Sequence, residues 1–289
     1  AMGGVGRGVG RQRGVRLPCE GRRPCQVAGR IQPALRHRGL QLAHTHAGAV
    51  ADAVEPVTGK LALDLACGTG NEALELARRG ARVTGYDGAP RLLQVAGERA
   101  AAEGLELERV QGDLAELPFA DDSFEIVTSV FGLIFTGSPQ DSAAEIGRVL
   151  RPQGRIAFTS WVEEGLFQYM QDMAKAAVAS HFGQAPPEGA DAPFAWGDEV
   201  AVRELFSESG LMLQVETREL VIEEESAAAL NDRWFDLHPI WITMQEVIGD
   251  EAYEEMRREA LPVVESHNEA SDGSFRNTLR YLLFEGSPV

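Results

Sequence analysis

The stretch LDLACGTGN, residues 63–71, decides the fold of this protein. It is an apolar run that carries one acid, Asp64, and that ends at two glycines, Gly68 and Gly70. The residues before it predict a β-strand, and the segment NEALELARRG that follows predicts a helix closed by Gly80. Glycines at such a junction let a ligand approach the backbone closely, and the helix N-terminus beyond them offers free N–H groups. The stretch therefore predicts a strand-loop-helix unit whose loop binds a ligand.

Short apolar runs alternate with helical segments along the chain around this unit. The runs predicted as strands are KLALDLA (60–66), ARVTGYD (81–87), LELERVQGD (105–113), SFEIVTSVFGLIF (123–135), RIAFTSW (155–161), LMLQVET (211–217) and LRYLLF (279–284). The segments PRLLQVAGERAAAEG (90–104) and SAAEIGRVLRPQG (142–154) predict helices between them. Strands that alternate with helices in this way form parallel β-α-β units. The sequence therefore predicts an α/β fold with helices on both faces of a sheet.

Two further acids stand where predicted strands end. Asp87 closes the second strand, 17 residues after Gly70, and Asp113 closes the third. A carboxylate at the position of Asp87 can accept both hydroxyls of a ribose. The pattern Gly68-x-Gly70-x-x-Ala73 also satisfies the dinucleotide fingerprint, but Asp64 would repel a pyrophosphate and attract an ammonium group. A nucleoside that carries an ammonium group is the predicted ligand.

These motifs resemble those of the class I S-adenosylmethionine-dependent methyltransferases, and more closely the bacterial small-molecule branch with its quinone and natural-product enzymes. The resemblance runs from about Gly59 to Trp161 and continues more weakly to the C-terminus. It implies S-adenosylmethionine as cofactor and S-adenosylhomocysteine as product. Ala66 stands where the family usually has its first glycine. The resemblance implies these cofactor-binding residues: Asp64 at the methionine ammonium, Ala66, Gly68 and Gly70 in the loop, Asp87 with Gly88 at the ribose, Asp113 and Leu114 at the adenine, and Ser129.

The family resemblance implies a Rossmann-like, seven-stranded, mostly parallel sheet whose last strand is antiparallel. Two stretches, at about 162–197 and 226–272, do not fit the sheet and are predicted as helical cap insertions. The methyltransferase domain is predicted over residues 41–289. Residues 1–40 form a basic segment rich in Arg and Gly, with three open interpretations: a solvated extension or start-site artefact, a helix folded over the domain, or an arm that grips RNA or an acidic partner.

Aromatic residues and histidines of the later part of the chain are the candidates for the acceptor site. Phe131, Trp234 and Trp241 are predicted to contact the substrate, although large rings in a cap also form its core. His238 and His267 are the candidate general bases and rank above His181. A histidine alone in such a stretch is more often a surface or hydrogen-bonded residue than a base.

Composition excludes several classes of protein. The chain has 289 residues, 44% of them hydrophobic, and a net charge of −17, which disfavours a nucleic-acid substrate. The chain has three cysteines, Cys19, Cys25 and Cys67. Their spacing is not that of metal ligands and their number is odd, so we expect no metal site and no disulfide framework. No apolar run approaches the roughly 18 residues of a membrane span, so a cytoplasmic protein is expected.

The sequence thus predicts a methyltransferase that acts on O, N or C of a small, partly aromatic or apolar molecule, as a monomer or homodimer. Two alternatives are open: a protein that keeps the cofactor fold without methyl transfer, as a binding module or repurposed catalyst, and an RNA or protein methyltransferase that uses the basic segment.

Overall fold

Seven strands form one sheet in the computed structural model, which describes residues 47–182, 194–237, 241, 244–245 and 248–289. The spatial order is β3-β2-β1-β4-β5-β7-β6. The strands are β1 (Leu61–Leu65), β2 (Arg82–Asp87), β3 (Glu108–Gln111), β4 (Phe124–Val130), β5 (Leu150–Trp161), β6 (Leu211–Glu224) and β7 (Phe275–Pro288). The first five strands are parallel, and β7 runs antiparallel between β5 and β6. The predicted sheet, including its antiparallel last strand, is confirmed.

Helices precede and separate these strands along the chain. They are α1 (47–53), α2 (Asn71–Arg78), α3 (Pro90–Glu103), α4 (Pro139–Val149), α5 (Gly165–Phe182), α6 (Glu199–Glu208), α7 (Ala227–Leu237) and α8 (Asp250–Ser266). The stretch predicted as the first insertion contains α5, and the second contains α7 and α8. Residues 1–40, predicted as a basic arm, lie outside the described residues. Within the described part of the chain, no helix is long and apolar enough to cross a membrane.

The point where the chain reverses its direction across the sheet lies between β1 and β4. The chain proceeds from β1 to β2 and β3 on one side, and then returns to the other side of β1 with β4. Loops that leave β1 and β4 therefore diverge at their carboxyl ends and leave a crevice. Ligands of open α/β sheets bind in this crevice.

Several predicted strand boundaries are wrong. The fourth strand ends at Val130, because Phe131 adopts a φ of 53° and a short 3₁₀ helix, Leu133–Phe135, follows. The last two strands are longer than predicted, because β6 and β7 pair with each other over their full lengths. Tyr281 pairs with Trp161, the last residue of β5, so the part of β7 before Tyr281 extends beyond β5 as a two-stranded ribbon.

Candidate active site at the crevice between β1 and β4

The glycine-rich loop after β1 turns by means of left-handed backbone conformations. Ala66, Gly68 and Gly70 have φ values of 50°, 55° and 83°. The Gly70 N–H donates to Cys67 O at 2.8 Å, which closes the loop directly before α2. A Cβ atom built on Gly68 would meet no atom within 4 Å, so there is open space beside the backbone there. The loop has room for a ligand at the position predicted from its glycines.

The Asp87 carboxylate is fixed by two backbone N–H groups. Gly68 N donates to Oδ2 and Ala89 N donates to Oδ1, each at 2.8 Å. Asp87 as a whole is only 9% exposed. Because each carboxylate oxygen has a second lone pair, both oxygens can still accept a hydrogen bond from a hydroxyl group. Asp87 therefore keeps an accepting position on each oxygen, and its ribose-binding role stays a prediction.

Asp64 is buried in the floor of the crevice. Its Oδ2 accepts from Ala73 N at 3.0 Å and its Oδ1 accepts from Thr128 Oγ1 at 3.3 Å. Burial raises the pKa of Asp64 to about 8, although both hydrogen bonds oppose the shift. A buried acid of this kind favours a cationic group beside it and disfavours a phosphate.

The side chain of Ala66 occupies space that another residue leaves open. A Cβ atom built on Gly132 would lie 2.5 Å from Ala66 Cβ and 2.7 Å from Ser129 Oγ. Gly132 thus leaves room for the methyl group that replaces the family's usual glycine at position 66. The Ser129 hydroxyl is buried and donates to Leu65 O at 2.8 Å, which joins β4 to β1.

The loop after β3, which is predicted to border the adenine of the ligand, is held against β2. Tyr86 donates its hydroxyl to Asp113 O at 2.9 Å, and burial raises the pKa of Tyr86 to about 12. Asp113 is exposed, with Oδ1 accepting from Ala115 N at 3.0 Å, and Leu114 is half-buried beside it. The Gly88 carbonyl accepts from the side chain of Gln111 at 3.2 Å.

A cluster of rings begins at the end of β4. Phe131 and Trp161 stack with ring centroids 4.0 Å apart and an interplanar angle of 5°. Thr159 Oγ1 accepts from Phe131 N at 3.0 Å, which supports the left-handed backbone of Phe131. Phe167 lies 5.0 Å from Trp161, and Tyr281 lies edge-on to Phe131 at 5.8 Å. The ring predicted for the substrate, Phe131, therefore lies beside the crevice.

Comparisons with known proteins agree with this geometry. Residues 63–158 match the family described as methyltransferase domain. An uncharacterised protein of Mycobacterium tuberculosis (strain ATCC 25618 / H37Rv) is 34% identical over 195 residues, which are 67% of this chain and 69% of that protein. A demethylmenaquinone methyltransferase of Clavibacter sepedonicus is 39% identical over 133 residues, 44% of this chain and 54% of that enzyme.

Solved structures share the fold at low sequence identity. YcgJ of Bacillus subtilis has a TM-score of 0.58 and 19% identity, with 84% of this chain and 97% of that chain covered. The [4+2]-cyclase SpnF has a TM-score of 0.53 and 19% identity, covering 85% of this chain and 82% of the cyclase.

This chain belongs to the class I S-adenosylmethionine-dependent methyltransferases. The family predicted from the glycine loop and the strand-end acids is confirmed. Among the described residues of this methyltransferase, no group of three or more His, Cys, Asp or Glu side chains is arranged to hold a metal ion.

The remaining candidates for the acceptor site of the methyltransferase lie in the cap. Trp241 is buried and stacks on Phe235 at 5.2 Å, and Trp234 is half-buried among the core residues of the cap. His238 and the side chain of His181 lie outside the described residues. Trp241 therefore has the packing expected of a cap-core residue.

His267 lies at the C-terminus of α8. Its Nδ1 is 2.8 Å from Val263 O, and its carbonyl accepts from the side chain of Asn277 at 3.0 Å. Because a carbonyl only accepts, Nδ1 carries the proton and Nε2 is the basic atom. His267 lines a cavity of about 260 Å³ with Phe167. Val162, the residue directly after β5, lines the same cavity, so His267 faces the segment that follows the end of β5.

Three residues of the site were not identified from the sequence. Arg99 of α3 donates to Thr69 O at 2.7 Å and to Asn71 Oδ1 at 2.8 Å, so it fixes the glycine loop. Thr128 donates to Asp64. Glu72 is buried beside the loop. It lies four residues before the buried Leu76 on the same helix, and this helical spacing could have predicted that Glu72 is buried.

Proposed function

We propose that this protein transfers a methyl group from S-adenosylmethionine to O, N or C of a small, partly aromatic or apolar molecule. One observation carries the proposal: two acids hold the two ends of the glycine loop, with Asp87 accepting from the open backbone of Gly68 and Asp64 accepting from Ala73 N of α2. The ring pair of Phe131 and Trp161 lies on the β4 side of the same crevice.

The charge of the crevice supports a sulfonium amino acid as the ligand. Asp87 would accept the ribose hydroxyls, and Asp64 would face the ammonium group of the methionine end. The nearby cation, Arg99, is already engaged by the loop itself, with three contacts to Thr69 and Asn71. A dinucleotide would place a pyrophosphate beside a buried acid, which is unfavourable.

The chain's own contribution to the chemistry is positioning. When bound, S-adenosylmethionine supplies a methyl group that is already activated by its sulfonium. The protein then has to hold the acceptor atom in line with that methyl group and exclude water. Phe131, held by Thr159 and stacked on Trp161, gives a rigid apolar surface for such an acceptor. The quinone substrate named for the Clavibacter relative is a ring compound of this kind.

His238 is the residue that we propose as a general base. His267 would reach an acceptor group that extends into the cavity that it lines with Phe167. An acidic carbon or a hydroxyl benefits from a base, whereas an amine attacks through its neutral form.

Calorimetric titration with S-adenosylmethionine, S-adenosylhomocysteine and NADH tests the proposal. We expect micromolar binding of the two sulfur nucleosides, loss of that binding in Asp87→Ala, and no binding of NADH. The matched control is Asp172→Ala, which removes an exposed acid on α5. Incubation with labelled S-adenosylmethionine and a panel of phenols and demethylated quinones then reports transfer. Binding without transfer to any acceptor would favour a non-transferring protein, and binding of NADH alone would refute the proposal.

A further inference from the structure

Glu72, the second residue of α2, is buried without a hydrogen-bond partner. The residue is 2% exposed, and neither Oε1 nor Oε2 has a partner among the described residues. A buried carboxylate normally has hydrogen bonds or a counter-ion, because the charged form loses its hydration when it leaves water. The position of Glu72 therefore requires an explanation.

The charged groups around Glu72 do not neutralise it. They are Asp64 of β1, Asp52 of α1, Glu75 of its own helix and Arg79, which directly follows that helix. The guanidinium of Arg79 contacts Asp52 at 2.6 Å, Glu75 at 2.9 Å and Glu55 at 3.2 Å. The nearest cation is thus shared among three other carboxylates.

Burial, reinforced by the charge of Asp64, raises the pKa of Glu72 well above its ordinary value. Asp64 is buried next to it and also has a raised pKa. Burial therefore favours the protonated form of both acids when no cation lies beside them.

We propose that Glu72 is a positioning residue for the ammonium group of the bound nucleoside, acting behind Asp64, and that binding of this ammonium group releases protons from the two acids. The inference rests on the proposed function, because it assumes that the ammonium group lies at Asp64. The ligand's ammonium keeps its protons. The O–H bonds of the carboxylic acids break, each oxygen keeps the electron pair, and the protons go to the buffer.

The proposal separates the amino-acid end of the ligand from its nucleoside end. S-adenosylhomocysteine carries the ammonium group, whereas 5′-methylthioadenosine has the same thioether and nucleoside without it. Glu72 should affect the first ligand alone. A purely structural role for Glu72 would change the affinity for both ligands together.

Calorimetry at pH 7 in two buffers of different ionisation enthalpy measures the released protons. For S-adenosylhomocysteine we expect the wild-type protein to release more than about one proton, and Glu72→Gln to release at most about one. We also expect Glu72→Gln to weaken this ligand about tenfold, the equivalent of one pKa unit, without changing the affinity for 5′-methylthioadenosine. Glu98→Gln, on the exposed face of α3, is the control for loss of one negative charge.

The outcomes distinguish the two claims. If wild-type protein does not bind S-adenosylhomocysteine, the proposed function fails and this inference fails with it. If it binds, but Glu72→Gln has the same affinity and proton release, only the inference is refuted. Equal weakening of both ligands would also refute it. Glu72→Leu, which fills the same space without a polar group, serves as the second variant if Gln prevents folding, with the same expected loss.

Discussion

The side chain of Asp87 and the backbone of Gly68 are joined by a 2.8 Å hydrogen bond from the Gly68 N–H to Oδ2. This bond connects the end of β2 to the loop after β1, so the acid predicted to bind the ribose also fixes the glycine loop. Oδ1 is held in the same way by Ala89 N. The carboxylate therefore has one orientation, set by two donors from different loops.

Asp87→Asn should weaken binding of S-adenosylhomocysteine at least about tenfold, because a hydrogen bond to a charged group contributes roughly 1.5–3 kcal/mol. The amide NH₂ would also face either the Gly68 or the Ala89 N–H, so we expect a lower melting temperature. Calorimetric titration and thermal unfolding measure the two effects. Asp172→Asn, on the surface of α5, should change neither. Unchanged affinity in Asp87→Asn would contradict a ribose-binding role.

Ala66 and Gly132 should behave as a coupled pair. Gly132→Ala should destabilise the protein by about 1–3 kcal/mol, because its new Cβ would lie 2.5 Å from Ala66 Cβ. Ala66→Gly should be neutral or stabilising by up to about 1 kcal/mol, because it removes a left-handed alanine. Urea unfolding of the single and double variants gives the coupling energy. A double variant no more stable than the sum of the single effects would show that the two methyl positions do not compete.

The parts of the site that lie at strand ends were predictable from the sequence. Gly68, Gly70 and Asp87 were identified because a strand followed by glycine or an acid is a local pattern. Arg99 was not, because its contacts with Thr69 and Asn71 depend on where α3 packs against the loop.

The succession of strands along the chain was predictable from the sequence, whereas the reach of the last two strands was not. The apolar pattern that predicted the last strand covers only Leu279 to Phe284, although Phe275 at the start of β7 is buried as well. The ribbon before it, from Phe275, is held by pairing with β6, a contact between residues more than 50 positions apart. Asn277 of this ribbon donates its side-chain amide to the carbonyl of His267, a contact that local patterns do not contain. The rank given to His267 among the candidate bases stays a prediction.

The stability of the protein should depend on pH through Glu72. Its pKa is raised in the folded state, so its contribution to stability is fully present below its unfolded-state pKa and is lost as pH rises through the folded value. While the group is protonated in the folded state and ionised in the unfolded state, the loss is about 1.4 kcal/mol per pH unit. Glu72→Gln should therefore gain stability relative to wild type between pH 5 and pH 8, as measured by urea unfolding.

The control for this effect is Glu98→Gln, which removes the same kind of side chain from the exposed face of α3. Asp64 has a folded pKa raised to about 8 and acts with the same sign, so the Glu72→Gln protein should retain part of the pH dependence. Parallel stability curves for Glu72→Gln and wild type would show that Glu72 is ionised in the folded protein.

Phe131 should contribute to acceptor binding without affecting the cofactor. Phe131→Leu removes the ring that stacks on Trp161 at 4.0 Å and leaves an apolar residue in its place. Because an aromatic pair contributes about 0.5–1.5 kcal/mol beyond its buried area, kcat/KM for an aromatic acceptor should fall about three- to tenfold. Affinity for S-adenosylhomocysteine should be unchanged. Phe135→Leu, in the same loop but 63% exposed, is the matched control and should retain full activity. Equal rates for both variants would contradict an acceptor site beside this ring pair.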